Sequence, residues 1–211
     1  MIAVIDYGMG NLRSVQKAFE RIGCDARVID HPRGLDGAHG IVLPGVGAFA
    51  KAMENLDRQG FVQPLLDAIA DGRPFLGICL GLQLLLEESE ERFGEAAALP
   101  QGLGLIRGRV RRFPAGLKVP QIGWNQVRVN GSEGGPSPSR LYEGVRDGDY
   151  VYFLHSYYAD PVEPGVVAAR TEYGITFASG LEQGNVMAVQ FHPEKSSRVG
   201  LRILQNFANL V

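Results

Sequence analysis

Apolar positions in the first eighty residues follow two alternating patterns. Short apolar runs at 1–5 (MIAVI), 40–43 and 75–78, and the stretch Ala26–Ile29 interrupted by Arg27, have the length of strands. Between them apolar residues recur every three or four positions: Leu12, Val15, Phe19 and Ile22; then Phe49, Met53 and Leu56; then 61–70. This is helical spacing. Asn11 suits the cap of the first helix and Gly23 its stop. The same reading predicts a helix over 80–92, acidic towards its end. Strand and helix in repeated alternation predict an α/β fold with a mostly parallel central sheet and helices on both faces.

The second half changes character. Runs at 104–113, 124–129, Tyr150–His155, 166–172, 175–179 and 186–191 read as strands joined by turns, which predicts antiparallel additions to the sheet. A helix is expected over 196–210, with Val199, Ile203, Phe207 and Leu210 on its buried side. The segment 131–139 (GSEGGPSPS) reads as a surface loop, too short to link domains. One domain covering 1–211 is therefore expected.

Composition narrows the function. The net charge is −2, so the global balance does not call for nucleic acid or an anionic membrane. No apolar run approaches the ~18–20 residues needed to span a bilayer. The opening MIAVIDYGMGN lacks the basic flank of a secretory signal. The two cysteines, Cys24 and Cys79, cannot make a disulfide scaffold or a cysteine-rich zinc site. A cytoplasmic protein without metal or cofactor is expected, since neither a dinucleotide fingerprint nor a phosphate-loop pattern occurs.

Candidate chemistry concentrates at strand ends, where open α/β sheets bind ligands. Gly77-Ile78-Cys79-Leu80-Gly81 lies between a predicted strand and a predicted helix. This is a nucleophile elbow carrying cysteine. The turn is so sharp that side chains two residues either side of the nucleophile would collide, which accounts for both glycines. The predicted helix start would favour a thiolate at Cys79. Cys24, at a helix exit, reads as structural.

A thiol nucleophile needs a base, and the base needs an orienting group. Of His31, His39, His155 and His192, only His192 ends an apolar strand with a carboxylate two residues on, at Glu194. His155 ends another strand and competes as base without such a carboxylate; His31 and His39 read as turn residues. The amide of Leu80 is the expected first oxyanion donor, and the loop Gly45-Val46-Gly47 the candidate second, since glycine-flanked peptides turn easily.

Six segments, DYGMGN (6–11), LPGVGAF (43–49), GICLGLQ (77–83), IGWNQ (122–126), FLHSYY (153–158) and QFHPEKS (190–196), together resemble the class I, Cys-His-Glu triad glutamine amidotransferases. Among these the chain is most similar to the glutaminase subunits of imidazole glycerol phosphate synthases. The resemblance implies a flavodoxin-like fold and hydrolysis of L-glutamine to glutamate and ammonia through a glutamyl thioester on Cys79, with His192 and Glu194 completing the triad. It implies oxyanion roles for Val46 or Gly47 and Leu80, and substrate contacts from Gly45, Gln83, Ser156 and Tyr157. It further implies a (β/α)8-barrel cyclase partner in a heterodimer, with Asn11, Trp124 and Lys195 near the contact. Gln121-Ile122 departs from the His-Met type of pair expected before Gly-Trp-Asn. Arg107, Arg109, Arg111 and Arg112 read as a solvated strand face. Two other readings stand beside this one: a glutaminase subunit serving anthranilate or pyridoxal phosphate synthesis, and a non-catalytic module retaining the fold.

Overall fold

A computed structural model describes residues 1–92, 98–129 and 139–211. The elements in chain order are β1 (Ile2–Ile5), α1 (Leu12–Arg21), β2 (Ala26–Ile29), β3 (Gly40–Gly45), α2 (Phe49–Arg58), α3 (Val62–Ala70), β4 (Phe75–Cys79) and α4 (Leu80–Gln83). There follow β5 (Leu86–Ser89), β6 (Ile106–Arg112), β7 (Gln121–Gln126), β8 (Arg128–Val129), β9 (Tyr150–His155), β10 (Tyr157–Pro161), β11 (Val167–Glu172), β12 (Thr176–Gln183), β13 (Val186–Val189) and α5 (Ser197–Ala208).

The main sheet runs β2-β1-β3-β4-β13-β12-β10-β6-β5, with β11 and β8 appended at β12. From β2 to β13 neighbours are parallel; β13, β12, β10 and β6 then pair antiparallel, and β5 joins β6 in parallel. A separate two-stranded sheet, β7 with β9, packs over one face. The expected α/β architecture, parallel first and antiparallel later, is the one observed.

Both faces of the central parallel strands β1, β3, β4 and β13 are buried, so these carry no charged residue, whereas the edge strand β2 exposes Arg27. In β1, Ala3 and Ile5 join a cluster with Phe49, Leu56 and Leu65 of α2 and α3. Ile2 and Val4 point the other way, towards Phe19 of α1, Phe207 of α5 and Phe153 of β9. Among the described residues no helix is long and apolar enough to cross a membrane.

Three expectations are corrected. The helix over 80–92 is confined to Leu80–Gln83, and Leu86–Ser89 is a strand. Leu84, Leu85 and Leu86 are all fully buried, and the strand pairs with β6, with Glu88 salt-bridged to Arg109 at 3.2 Å. Tertiary pairing overrides the helical propensity of LLLEES. The favourable end of a long helix dipole, expected at Cys79, is correspondingly absent, leaving only the local amides of a four-residue helix. Tyr157–Pro161 is a strand in a stretch to which the sequence reading assigned no element. Asn11 stands at the cap position of α1, yet its side chain makes no capping bond. The surface-loop reading of 131–139 falls, except for Ser139, outside the described residues.

Candidate active site

Cys79 closes β4 with φ +56° and ψ −104°, a conformation outside the ordinary range for a residue with a side chain. The flanking glycines permit it. A β-carbon at Gly81 would collide with the carbonyl oxygen of Leu43, and one at Gly77 would come within 2.6 Å of the carbonyl oxygen of Gly81. The elbow is therefore held by backbone sterics, as the sequence predicts. Leu80 and Gly81 follow directly at the start of α4, and Gly45 of β3 is the register partner of Cys79.

The Cys79 thiol is 5% exposed. Its sulfur lies 3.8 Å from the carbonyl oxygen of Leu154 in β9 and receives the Gln190 side-chain amide at 3.7 Å. Gln83 donates to both the Tyr157 carbonyl (2.9 Å) and Gln190 Oε1 (3.1 Å). A chain of amides thus runs from β10 through Gln83 and Gln190 to the sulfur. Gln190 lies inside the QFHPEKS segment but carries no signal of its own in a single sequence.

His192 follows the end of β13 and heads the 3-10 turn Pro193–Lys195. Its backbone amide donates to the Tyr152 carbonyl (2.9 Å), and Ser196 Oγ donates to its carbonyl (2.6 Å). Its Nδ1 lies 2.9 Å from Glu194 Oε1, and the two side chains are 3% and 1% exposed. Since a carboxylate only accepts, Nδ1 carries the proton and Nε2 is the end free to exchange one. Nε2 and the Cys79 sulfur meet in a contact outside full hydrogen-bond geometry, yet close enough to couple their charges. Burial alone would lower the imidazole; hydrogen bonding and charge from Cys79 and Glu194 outweigh it and hold the pKa up at about 10.

A cavity of about 250 Å³ opens on Cys79, lined also by Val46, Gly47, Leu80, Gln83, Ser156 and Tyr157. Six of the seven residues expected to serve the oxyanion or substrate line it. Gly45 stands behind them, and a β-carbon there would strike the Tyr7 hydroxyl and Leu80 Cβ. Gly47 has φ +100°, which suits glycine. Tyr7 is fully buried with its hydroxyl unpartnered among the described residues; burial, then the charge of Cys79, raises its pKa far above the ordinary tyrosine range.

His155 also lines the cavity, but its surroundings disfavour a role as base. Its Nδ1 donates to the Tyr157 carbonyl at 2.8 Å, its ring packs among Phe113, Phe153 and Phe177, and burial pulls its pKa down to about 4. His31 Nδ1 accepts the amide of Arg33, and His39 Nδ1 lies 3.5 Å from the terminal ammonium; both histidines are exposed. Cys24 is half-buried and unpaired. Arg107, Arg109 and Arg111 alternate outward on β6 with carboxylate partners Glu163, Glu88 and Asp160.

Beside the cavity, the outer face of β7 and β9 is apolar. Ile122 (60% exposed), Trp124 (53%), Tyr150 (55%) and Leu154 (36%) stand together, with Ile122 opposite Leu154 and Trp124 opposite Tyr152. Lys195 Nζ lies 5.9 Å from the centre of the Tyr152 ring. Exposed Asn11 begins α1, which touches the Pro193–Lys195 turn. Gln121, inward of this face, is 3% exposed, with its Oε1 unpartnered among the described residues.

Residues 3–210 match the family model for glutamine amidotransferase class-I. The chain is similar over its whole length to proteins named imidazole glycerol phosphate synthase subunit HisH. That of Syntrophotalea carbinolica is 53% identical, with 100% of each chain covered. That of Geobacter metallireducens is 54% identical over 98% of this chain and 97% of the relative. That of Methanothermobacter thermautotrophicus is 51% identical over 100% and 99%. Among solved structures, a crystal structure of a glutamine amidotransferase superposes with TM-score 0.75 at 21% identity, covering 100% of this chain and 98% of the other. PurLQS from Thermotoga maritima gives 0.73 at 20% identity over 99% and 97%, a likeness of fold.

Proposed function

The chain belongs to the glutamine amidotransferase class-I family, and from that premise we propose that it is the glutaminase subunit of an imidazole glycerol phosphate synthase. The observation that carries the chemistry is the buried His192–Glu194 pair at 2.9 Å, with its free nitrogen turned towards the sulfur of an elbow cysteine.

In this reading the Cys79 thiolate attacks the side-chain carboxamide carbon of glutamine. The oxyanion takes hydrogen bonds from the amides of Leu80 and of Val46 or Gly47. As the tetrahedral intermediate collapses, His192 gives its Nε2 proton to the departing nitrogen, and ammonia leaves. The acyl group remains on Cys79 as a glutamyl thioester. Water attacks that thioester, His192 taking its proton, and glutamate leaves with the thiolate restored. Glu194 positions the imidazole and stabilises its charged form throughout. Gln83, Ser156 and Tyr157 hold the amino-acid end of the substrate, with Gly45 keeping the oxyanion loop close to Leu80. Nothing in these steps calls for a metal or cofactor.

The ammonia passes to a (β/α)8-barrel cyclase subunit that makes imidazole glycerol phosphate and AICAR for histidine synthesis in the cytoplasm. The exposed apolar face of Ile122, Trp124, Tyr150 and Leu154 supports a docking surface, because monomers rarely leave such aromatics uncovered. Asn11 and Lys195 flank it in the proposed heterodimer. Residues 1–211 act as one amidotransferase unit. Full-length relatives at 49–54% identity favour this partner over those of anthranilate or pyridoxal phosphate synthesis. The complete Cys-His-Glu set disfavours a non-catalytic module.

The test is glutamate release by the purified chain mixed with the cyclase subunit of a close relative. Release that is stimulated by the cyclase, and lost in Cys79→Ala, supports the reading. Release undiminished in Cys79→Ala refutes the nucleophile, and stimulation by an anthranilate synthase subunit instead refutes the partner.

A further inference from the structure

A second cavity, of about 270 Å³, lies between α5 and the turn leading into β9, and shares no lining residue with the catalytic one. Its walls carry three arginines, Arg146 from the turn and Arg198 and Arg202 from α5. Arg198 and Arg202 are four apart, so they stand on one face of the helix, a like-charge spacing that is unfavourable in isolation. No described carboxylate forms an ion pair with any of the three guanidiniums, whereas Arg27, Arg109, Arg111 and Arg140 each have one within 4.0 Å.

The acidic residue in the cavity wall is Asp149, and its carboxylate is already engaged. Asp149 Oδ2 accepts the backbone amide of Arg146 at 3.0 Å, while the Asp149 amide donates to the Arg146 carbonyl at 3.1 Å. Those two bonds close the turn and fix Arg146 beside the helix. Gly144, at φ +73°, brings the same turn up to Arg202, where even a β-carbon would lie 3.8 Å from Nε. Three exposed arginines from two elements thus line one concavity, and the Asp149 carboxylate offsets only one of their three charges. Val145 and Val199 add an apolar wall beside them.

We propose that this cavity is a binding site for a phosphate group, either inorganic phosphate or the phosphomonoester of a small organic molecule. Arginine forks match the oxygens of a phosphate dianion in pairs, and such charge-assisted bonds are the strong ones. A bound dianion would also relieve the repulsion between Arg198 and Arg202. The volume exceeds what a phosphate alone fills, and the valines give a sugar or other organic portion something to rest on. The site is independent of the glutaminase reading.

The test is a calorimetric titration of the full chain with inorganic phosphate and, separately, with ribose 5-phosphate, at low and matched ionic strength. Saturable one-to-one binding is expected, weakened at least tenfold in R198Q/R202Q and again in R146Q, and unchanged in Cys79→Ala. Tighter binding of ribose 5-phosphate assigns the site to a phosphomonoester; equal binding assigns it to phosphate itself. A circular dichroism spectrum like the parent's shows that the variants fold. A titration that does not saturate, variants that bind as well as the parent, or equal competition by chloride would each overturn the proposal.

Discussion

Replacing Glu194 by glutamine removes one charge from the buried pair while leaving its shape and an acceptor oxygen. The ordinary histidine value of 6.5 becomes about 10 at His192. At about 1.4 kcal/mol per pH unit, the site favours imidazolium over imidazole by about 5 kcal/mol more than water does. Two groups, Cys79 and Glu194, supply that preference against the opposing effect of burial. Losing the carboxylate removes a charge that favours protonation, so the imidazole pKa falls. The alkaline limb of kcat, set by loss of the imidazolium proton, should move down from about 10, its position in the parent. At neutral pH, where the imidazolium persists, kcat should fall by ~10–100-fold because the ring loses the carboxylate that orients it and stabilises its charge, with KM within about threefold because Glu194 does not line the cavity. The assay is glutamate release by the cyclase complex from pH 6 to 10. A Glu194→Gln enzyme with kcat and alkaline limb both unchanged would show that the carboxylate does not hold the imidazolium. The same sign governs stability: the raised histidine value stabilises the fold fully below 6.5, and that contribution is lost as pH rises through about 10.

Three further predictions follow from contacts. Gly81→Ala drives a β-carbon into the Leu43 carbonyl oxygen, backbone against backbone, and should destabilise by about 3 kcal/mol or more in urea denaturation. Gln190→Leu leaves the buried Gln83 amide short of one acceptor and the sulfur short of its donor; stability should fall by about 1–3 kcal/mol, and kcat should fall as well, measured in the same two assays. Trp124→Ala removes a half-exposed ring, so the melting temperature of the free chain should barely move while cyclase affinity, by titration, weakens ~30-fold or more.

Much of this was legible in the chain because the physics is local. Gly77 and Gly81 announce the elbow since no other residue fits two places from a nucleophile at φ +56°. His192 and Glu194, two apart at a strand end, can meet without help from the rest of the fold. The apolar runs of β1, β3 and β4 are continuous because both sheet faces are covered. What stayed hidden depends on distant partners. LLLEES becomes a strand through β6, which comes about twenty residues later. Glu91, helical by local reading, instead caps α2, its carboxylate accepting the amide of Phe49 at 2.7 Å where Ala48 has no side-chain oxygen to offer. Gln190 reaches the sulfur across 111 positions of sequence, and Tyr7 meets Gly45 only because β1 and β3 are neighbours. The exposure of Trp124 agrees with its place in the resemblance, near the partner contact, but its physical cause is the pleat of β7, whose inner positions are Gln121, Gly123 and Asn125.

The central claim is that one sulfur in the chain is a nucleophile matched to glutamine. Incubating the cyclase complex with 6-diazo-5-oxo-norleucine and mapping the adduct by peptide mass spectrometry tests it directly. A single adduct on Cys79 is expected, blocked by excess glutamine and slowed in His192→Asn, with Cys24 unmodified. An adduct on Cys24, or an unmodified Cys79 in a complex that still releases glutamate, would contradict it.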